Sequence, residues 1–338
     1  MAEGLTVAVT GPTGTFGSAL LPLLEAEPRV AQVVGIARRP FDPAARGWSK
    51  LTYVRGDVRD VGTLRAAFEG ADVVVHLAFV ITGAGGRERT RRVNVEGTRN
   101  VLDAAAAVGA ARFVYASSVA AYGFHPDNPV GMTEDWPTRP ARRLFYAREK
   151  AELEAAMAER TGGPDRYVLR PPIVLGPHAV GAKQLLPRRL QALVERVPTA
   201  LGALRALPVG LPVPVPAVPL QVIHEDDVAS ALLHCVLGSG PPGAYNIAAE
   251  PVITARDVAR ELGLVPLPLP TGPVRRAARA ASAVPLPSLV PAAVEWLEVL
   301  GHPVIVDTAR ARAELGWVPR HGALDAVRAT LPGDDVTS

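Results

Sequence analysis

Tyr146 and Lys150 stand four residues apart in LFYAREKAELE, Leu144 to Glu154, a stretch that reads as the start of an amphipathic helix. That spacing puts both side chains on one helix face. A phenol loses its proton near pH ~10 in water, too high for efficient exchange at neutrality, and a neighbouring ammonium stabilises the phenolate and lowers that value. The pair therefore has the residue types of an acid/base device. With six tyrosines and three lysines in 338 residues, spacing by itself leaves two readings open: proton-transfer machinery, or neighbours on a helix surface.

A second group suits a phosphate. TVAVTGPTGTFGSALLPLL puts Gly11, Gly14 and Gly17 between an apolar strand-like run and a helical run. Glycines there permit a tight bend and close approach of backbone to a pyrophosphate, which then rests at the positive end of the helix. Thr13 and Phe16 lie in the same turn and count with the glycines as cofactor-binding. After the second strand, where an acid would hold the ribose 2′-hydroxyl of NAD, VVGIARRPF offers Ala37, Arg38 and Arg39. Guanidinium groups suit the 2′-phosphate of NADP, which is the expected cofactor, with NAD as the alternative. The competing reading is two arginines on a solvated loop. Asp57, followed by Val58 in YVRGDVRD, stands where it would accept from the adenine amine, or it is a turn-former.

The elements that must position these residues follow from hydrophobic periodicity. Strands are expected at Leu5 to Thr10, Val30 to Ala37, Leu51 to Arg55, Val73 to Leu77, Phe113 to Ser117 and Tyr167 to Arg170. Helices fit Gly17 to Ala26, Val61 to Phe68, Arg87 to Val108 and Tyr146 to Arg160. This alternation predicts an α/β fold, a doubly wound parallel sheet of Rossmann type, with ligands beyond the carboxyl ends of the strands. From Gly176 the texture changes. ALPVGLPVPVPAVPL, Ala206 to Leu220, carries proline at near-alternate positions, which forbids helix and favours extended edge structure. QVIHEDDVASALLHCVL returns to strand and helix, with Asp226 or Asp227 expected as the helix cap. A second proline-rich region spans Val265 to Pro291, and PAAVEWLEVL beyond it fits a helix packed on a second lobe. The expected division is a dinucleotide-binding domain, 1–175 plus 221–250, and a smaller discontinuous C-terminal substrate lobe, 176–220 plus 251–338.

Composition excludes several classes. Hydrophobic residues at 48% and charged residues at 20% describe a globular chain, not a disordered or collagen-like one. A net charge of +3 and a pI near 9.2 come from arginines interleaved with acids, without the basic run that nucleic acid demands. Cys235 is the single cysteine, inside an apolar helical run, so neither a disulfide framework nor a cysteine metal cluster is expected. His76, His178 and His224 are dispersed without ligand spacing, and no metal is expected. MAEGLTVAVT enters a strand directly, with no secretory or membrane segment expected and a reducing cytoplasm the expected location.

Taken in order, the glycine turn, VVVHLAF, VNVEGTRNVLDAA, FVYASSVAAYG, Tyr146-x-x-x-Lys150, LRPPIVLGP and VIHEDDVA resemble the extended short-chain dehydrogenase/reductase family. More narrowly, they resemble its NAD-dependent epimerase/dehydratase branch, from Thr6 to about Pro319. The resemblance implies that Tyr146 is the acid/base residue and Lys150 its partner. It implies that Ser118 binds the substrate oxygen, with Ser117 beside it on the cofactor side and open to confusion with it. Leu77, Ala78 and Phe79 would line the cofactor path, Asn94 would support the site from its helix, and Pro171 and Ile173 would follow the strand near the nicotinamide. Asn94 also reads as a plain buried helix residue. Lys150, with three donors, would hold the nicotinamide ribose while tuning the phenol.

Two departures from the family's pattern bear on substrate. Sugar-nucleotide epimerases that the chain resembles carry Asn three residues after the arginine of LR and Arg shortly before the histidine of IH, both holding a diphosphate. Here those positions are Ile173 and Leu220. Loss of charge-assisted donors disfavours a UDP-sugar, and the apolar lobe points to a largely apolar small molecule. The leading expectation is hydride exchange between NADP and a carbonyl or alcohol. A sugar-nucleotide epimerase or dehydratase retaining NAD is the alternative, and a non-catalytic cofactor-binding sensor the third reading. A small molecule is the expected partner, a homodimer is compatible, and neither nucleic acid nor membrane is expected.

Overall fold

The computed structural model describes residues 4–81, 86–141, 144–179, 212–270, 272 and 302–330. The expected helix over PAAVEWLEVL and most of the expected substrate lobe lie outside the described residues. β1 (Leu5–Thr10) is buried over its last four residues, and α1 (Thr15–Ala26) follows it, turning Leu20, Leu21 and Leu24 inward. β2 (Val30–Ala37) and β3 (Leu51–Arg55) extend one side, joined to α2 (Val61–Phe68), whose N-cap Asp60 accepts from the Thr63 amide. β4 (Val73–His76) is buried throughout.

The expected helix from Arg87 to Val108 is three pieces: α3 (Arg87–Arg91), a π-helical turn (Arg92–Glu96) and α4 (Gly97–Ala107). Gly97 starts α4 hard against Val58, where an added Cβ would meet a valine methyl at 2.5 Å. The helix axis is held close there, and the wider turn just before it carries Asn94, fully buried. β5 (Arg112–Ala116), α5 (Phe145–Glu159), β6 (Asp165–Arg170) and β7 (Ile173–Leu175) come next.

Beyond them run β8 (Pro212–Pro216), β9 (Pro219–Leu220), β10 (Val222–His224), α6 (Glu225–Val236) and β11 (Gly243–Asn246). The chain closes with β12 (Ile253–Thr254), α7 (Ala255–Glu261), β13 (Val265–Leu269), α8 (Ala309–Leu315) and α9 (Ala323–Thr330). The cap of α6 differs from expectation: His224 is the N-cap, and its Nδ1 accepts from the Asp226 amide at 3.2 Å. Asp227 is drawn off by the C-terminal segment, accepting from the amides of Arg320 and His321 at 2.7 and 3.1 Å. A long-range anchor has taken the carboxylate that local propensity assigns to the cap.

Seven strands form one sheet in the order β11-β6-β5-β4-β1-β2-β3, and every pairing within it is parallel. This is the expected doubly wound arrangement. One apolar layer joins α1, α6 and Trp317 to the sheet, and the other joins α2, α4 and α5. Burying Trp317 is made tolerable by its indole N–H, which donates to the Asp227 carbonyl at 3.0 Å. Strand order reverses between β1 and β4, so the crevice opens there, at their carboxyl ends. Apart from the main sheet, β8 pairs with β13 in parallel, PVPVP against VPLPL, and β9 pairs antiparallel with β12.

Candidate active site

The glycine turn lies at the reversal point. Gly11 has φ +73°, and a Cβ on it would sit 2.8 Å from the Ala78 amide nitrogen, so the β1 and β4 loops meet only because this residue has no side chain. A Cβ on Gly17 would strike the Pro12 carbonyl at 2.4 Å, so the helix starts tight against the turn. Gly14 is the N-cap of α1 and has no side chain to cap with, and no acid occupies the first turn. The positive end of α1 is thereby kept open to an anion. Thr13 and Phe16 stand in this turn, with Phe16 packed on the α1 core. The residues present fit a dinucleotide's pyrophosphate.

Across the crevice α5 delivers the tyrosine and the lysine. The hydroxyls of Tyr146 and Ser118 are hydrogen-bonded, which lowers the phenol's proton affinity, but desolvation is the larger effect and pushes it up to about 12. Ser118 follows β5 and is fixed on its other sides by the Ala120 amide at 3.2 Å and the Pro171 carbonyl at 3.4 Å. Lys150 is buried, and its Nζ donates to the Ala116 carbonyl at 2.6 Å and the Tyr115 hydroxyl at 3.2 Å. Burial brings its ammonium down to about 7 against the pull of Glu154 and Glu149. The expected lowering of the phenol by the ammonium is not seen: burial raises the phenol, Ser118 is the group that lowers it, and Lys150 Nζ lies 5.8 Å from the Tyr146 ring centroid. Phe79 meets both, edge-on to the Tyr146 ring at 5.6 Å and with its face 3.6 Å from Lys150 Nζ.

Asn94 faces the same loop rather than the crevice. Its Oδ1 accepts from the Val80 amide at 2.8 Å, and its Nδ2 donates to the Val80 carbonyl at 2.9 Å and to Glu149 at 2.8 Å. One donor and one acceptor position of the amide hold the segment after Phe79, and the second donor ties Asn94 to α5 through Glu149. Leu77 is tied at the other end through its amide to the Thr10 carbonyl at 3.1 Å. Leu77, Ala78 and Phe79 thus span two fixed points, each partly exposed.

Sequence reasoning passed over four buried partners: Tyr115, Glu149, Glu154 and Arg170. Ser117 donates to Glu154, and Arg170 grips that carboxylate through Nε at 2.9 Å and Nη2 at 2.5 Å. Arg170 also donates to the Tyr122 hydroxyl at 2.7 Å, which donates to Asn246 at 2.8 Å. Ser117 is therefore turned into this network and Ser118 toward Tyr146. The available signals were Glu154 four residues after Lys150 and the arginine of LRPP.

The remaining positions vary. Arg38 and Arg39 are exposed past β2, their backbone carbonyls bound by the Arg55 guanidinium and the Tyr53 hydroxyl. Asp57 is gripped by Arg59 through Nε at 2.9 Å and Nη2 at 2.7 Å, which pulls it below the usual carboxylate range, and Val58 is buried beside it. Pro171 is buried, whereas Ile173 is 42% exposed at the start of β7. Leu220 packs with Val222, Ile253 and Val327 in an apolar cluster. His76 lies between the hydroxyls of Thr10 and Thr98, and burial holds it down to about 3 and hence neutral. His224 and His321, dispersed in sequence, stack with ring centroids 4.1 Å apart, and with Asp226 they offer ligand atoms within 4.8 Å of one another.

Residues 7–248 match the family model described as the NAD dependent epimerase/dehydratase family. The chain belongs to this family. The uncharacterized protein y4nG of Sinorhizobium fredii is 31% identical over 329 residues, covering 94% of this chain and 75% of that one. Sterol demethylase protein B of Methylococcus capsulatus is 34% identical over 176 residues, 51% of this chain and 52% of that one. Among solved structures, DesIV, a dTDP-glucose 4,6-dehydratase from Streptomyces venezuelae with NAD and TYD bound, superposes with a TM-score of 0.69 at 23% identity, covering 97% and 96% of the two chains. That likeness establishes the fold. Among the described residues no helix is long and apolar enough to cross a membrane.

Proposed function

We propose that the protein transfers hydride between NADP and the carbonyl or alcohol of a largely apolar small molecule. The observation that carries the reading is the Ser118–Tyr146 hydrogen bond beside a desolvated Lys150, beyond the carboxyl end of β5. Gly11, Thr13, Gly14, Phe16 and Gly17 would seat the pyrophosphate, Leu77, Ala78 and Phe79 the path beyond it, and Pro171 and Ile173 the nicotinamide end. Arg38 and Arg39, exposed past β2, would meet the 2′-phosphate. When bound, the cofactor supplies the hydride.

The chain's own part is proton handling and charge. Tyr146, pushed up to about 12, is protonated at neutral pH and is the donor that carbonyl reduction requires. Ser118 donates to the same substrate oxygen and steadies its developing charge. Lys150 reloads or compensates the phenol at a proton affinity set near neutrality. The apolar substrate class rests on Ile173 and Leu220, which put no charge where a diphosphate would need it. A relative named for sterol demethylation supports the same class.

The second reading, an epimerase or dehydratase with retained NAD, is favoured by the family's description and by the DesIV likeness in fold. NADPH absorbance followed during turnover of apolar ketones and of UDP-sugars separates the two. Steady NADPH loss with apolar ketones is the expected result. Conversion of a nucleotide sugar with no net cofactor consumption would replace the first reading with the second.

A further inference from the structure

We propose that Phe79 is a gate on Lys150 that the nicotinamide ribose must displace, an inference that rests on the dinucleotide reading above. The Lys150 ammonium has three protons. Two are spent, on the Ala116 carbonyl at 2.6 Å and the Tyr115 hydroxyl at 3.2 Å. The remaining side is covered by the face of Phe79, whose centroid lies 3.6 Å from Nζ. The ring's negative face satisfies the ammonium there in place of an oxygen acceptor. A ribose hydroxyl can reach the ammonium only by taking that place.

The surroundings restrict how the ring yields. Asn94 binds both the amide and the carbonyl of Val80, and the Leu77 amide is tied to Thr10, so the backbone on either side of Phe79 is held. Rotation of the side chain is the motion left, and the ring is only partly buried. Its edge already rests on Tyr146 at 5.6 Å, so a ring leaving Lys150 stays beside the substrate's side of the crevice. The gate sets the affinity of the cofactor's nicotinamide half and leaves its adenine half untouched.

The sign of the effect on binding tests this. Dissociation constants for NADPH, NADH and ADP are measured by fluorescence and calorimetry on the wild-type protein, F79A and F79L. Removing a desolvated cation–π contact before binding tightens both dinucleotides by about tenfold in F79A and F79L, and ADP, which lacks the nicotinamide ribose, binds as in wild type. F79L keeps a branched apolar side chain at the position without the aromatic face and guards against a fold defect in F79A. Unchanged or weakened dinucleotide binding in F79L, or an equal change for ADP, overturns the gate. A wild-type protein that binds none of the three overturns the dinucleotide reading instead.

Discussion

Lys150 Nζ donates to the Tyr115 hydroxyl at 3.2 Å and stands 5.8 Å from the centroid of the Tyr146 ring. The lysine is thus anchored to the strand, and the Tyr146 phenol is left to Ser118. Removing the phenol's hydroxyl removes the proton donor without disturbing the anchor. Tyr146→Phe lowers kcat by roughly 10²-fold to 10⁴-fold, the range for a positioned acid, while NADPH affinity stays within about twofold. Stopped-flow turnover and equilibrium binding on the same preparation check both halves.

Desolvation of Lys150 has a consequence for stability with a definite sign. Its folded-state value, about 7, lies below the ordinary 10.5, so between those values the unfolded chain holds a proton the folded chain has released. Stability contributed by this group therefore rises with pH across that window and is flat below about 7. In urea denaturation at pH 6, 8 and 9, the wild type gains on K150M as pH increases. A constant difference across the three would show an ammonium still solvated in the fold.

Glu154 and Arg170 are both buried and joined by two hydrogen bonds. Deleting one partner strands the other charge. E154L and R170M each destabilise the protein by about 3–5 kcal/mol, whereas the two combined lose much less than the sum. Denaturant midpoints for the four proteins give the coupling directly.

Asn94 clamps Val80, so its effect reaches the crevice through the loop. N94A frees two backbone groups and the Glu149 carboxylate, costing about 1–3 kcal/mol, and weakens NADPH binding more than it slows the chemical step. Comparing KM with a single-turnover rate separates this from direct contact with substrate.

On the proposed function, Arg38 and Arg39 would select between the two dinucleotides. In R38A/R39A the ratio of NADH to NADPH dissociation constants falls by about 10-fold to 100-fold, as expected for loss of charge-assisted hydrogen bonds to a phosphate. A wild-type protein that prefers NADH removes the role assigned to both arginines.

Local signals carried the sheet, and long-range ones hid the site's supports. β1, β2, β3 and α2 begin and end where hydrophobic periodicity puts them, because that rule acts within a few residues. The glycine turn was legible for the same reason. Tyr115 reaches Lys150 from 35 residues away, and the partners of Asp227 lie 93 and 94 residues away, distances that no window of propensity spans. The π-helical turn under Asn94 was invisible because its residues have ordinary helical types. The Tyr146 and Lys150 spacing alone left two readings open, and only the glycine turn and ASSVAAYG set beside it made proton transfer the favoured one.

The β8–β13 pair has its own outcome. Proline carries no N–H, and Pro212, Pro214 and Pro216 alternate with valines as Pro266 and Pro268 alternate with leucines. The ladder's donors must then be Val213, Val215, Leu267 and Leu269, all spent between the two strands, leaving both flanks with carbonyl oxygens alone. A foreign strand approaching either flank finds acceptors and nothing to give it a hydrogen, so this ribbon is sterile to further growth and cannot seed fibrils or swapped dimers along those margins.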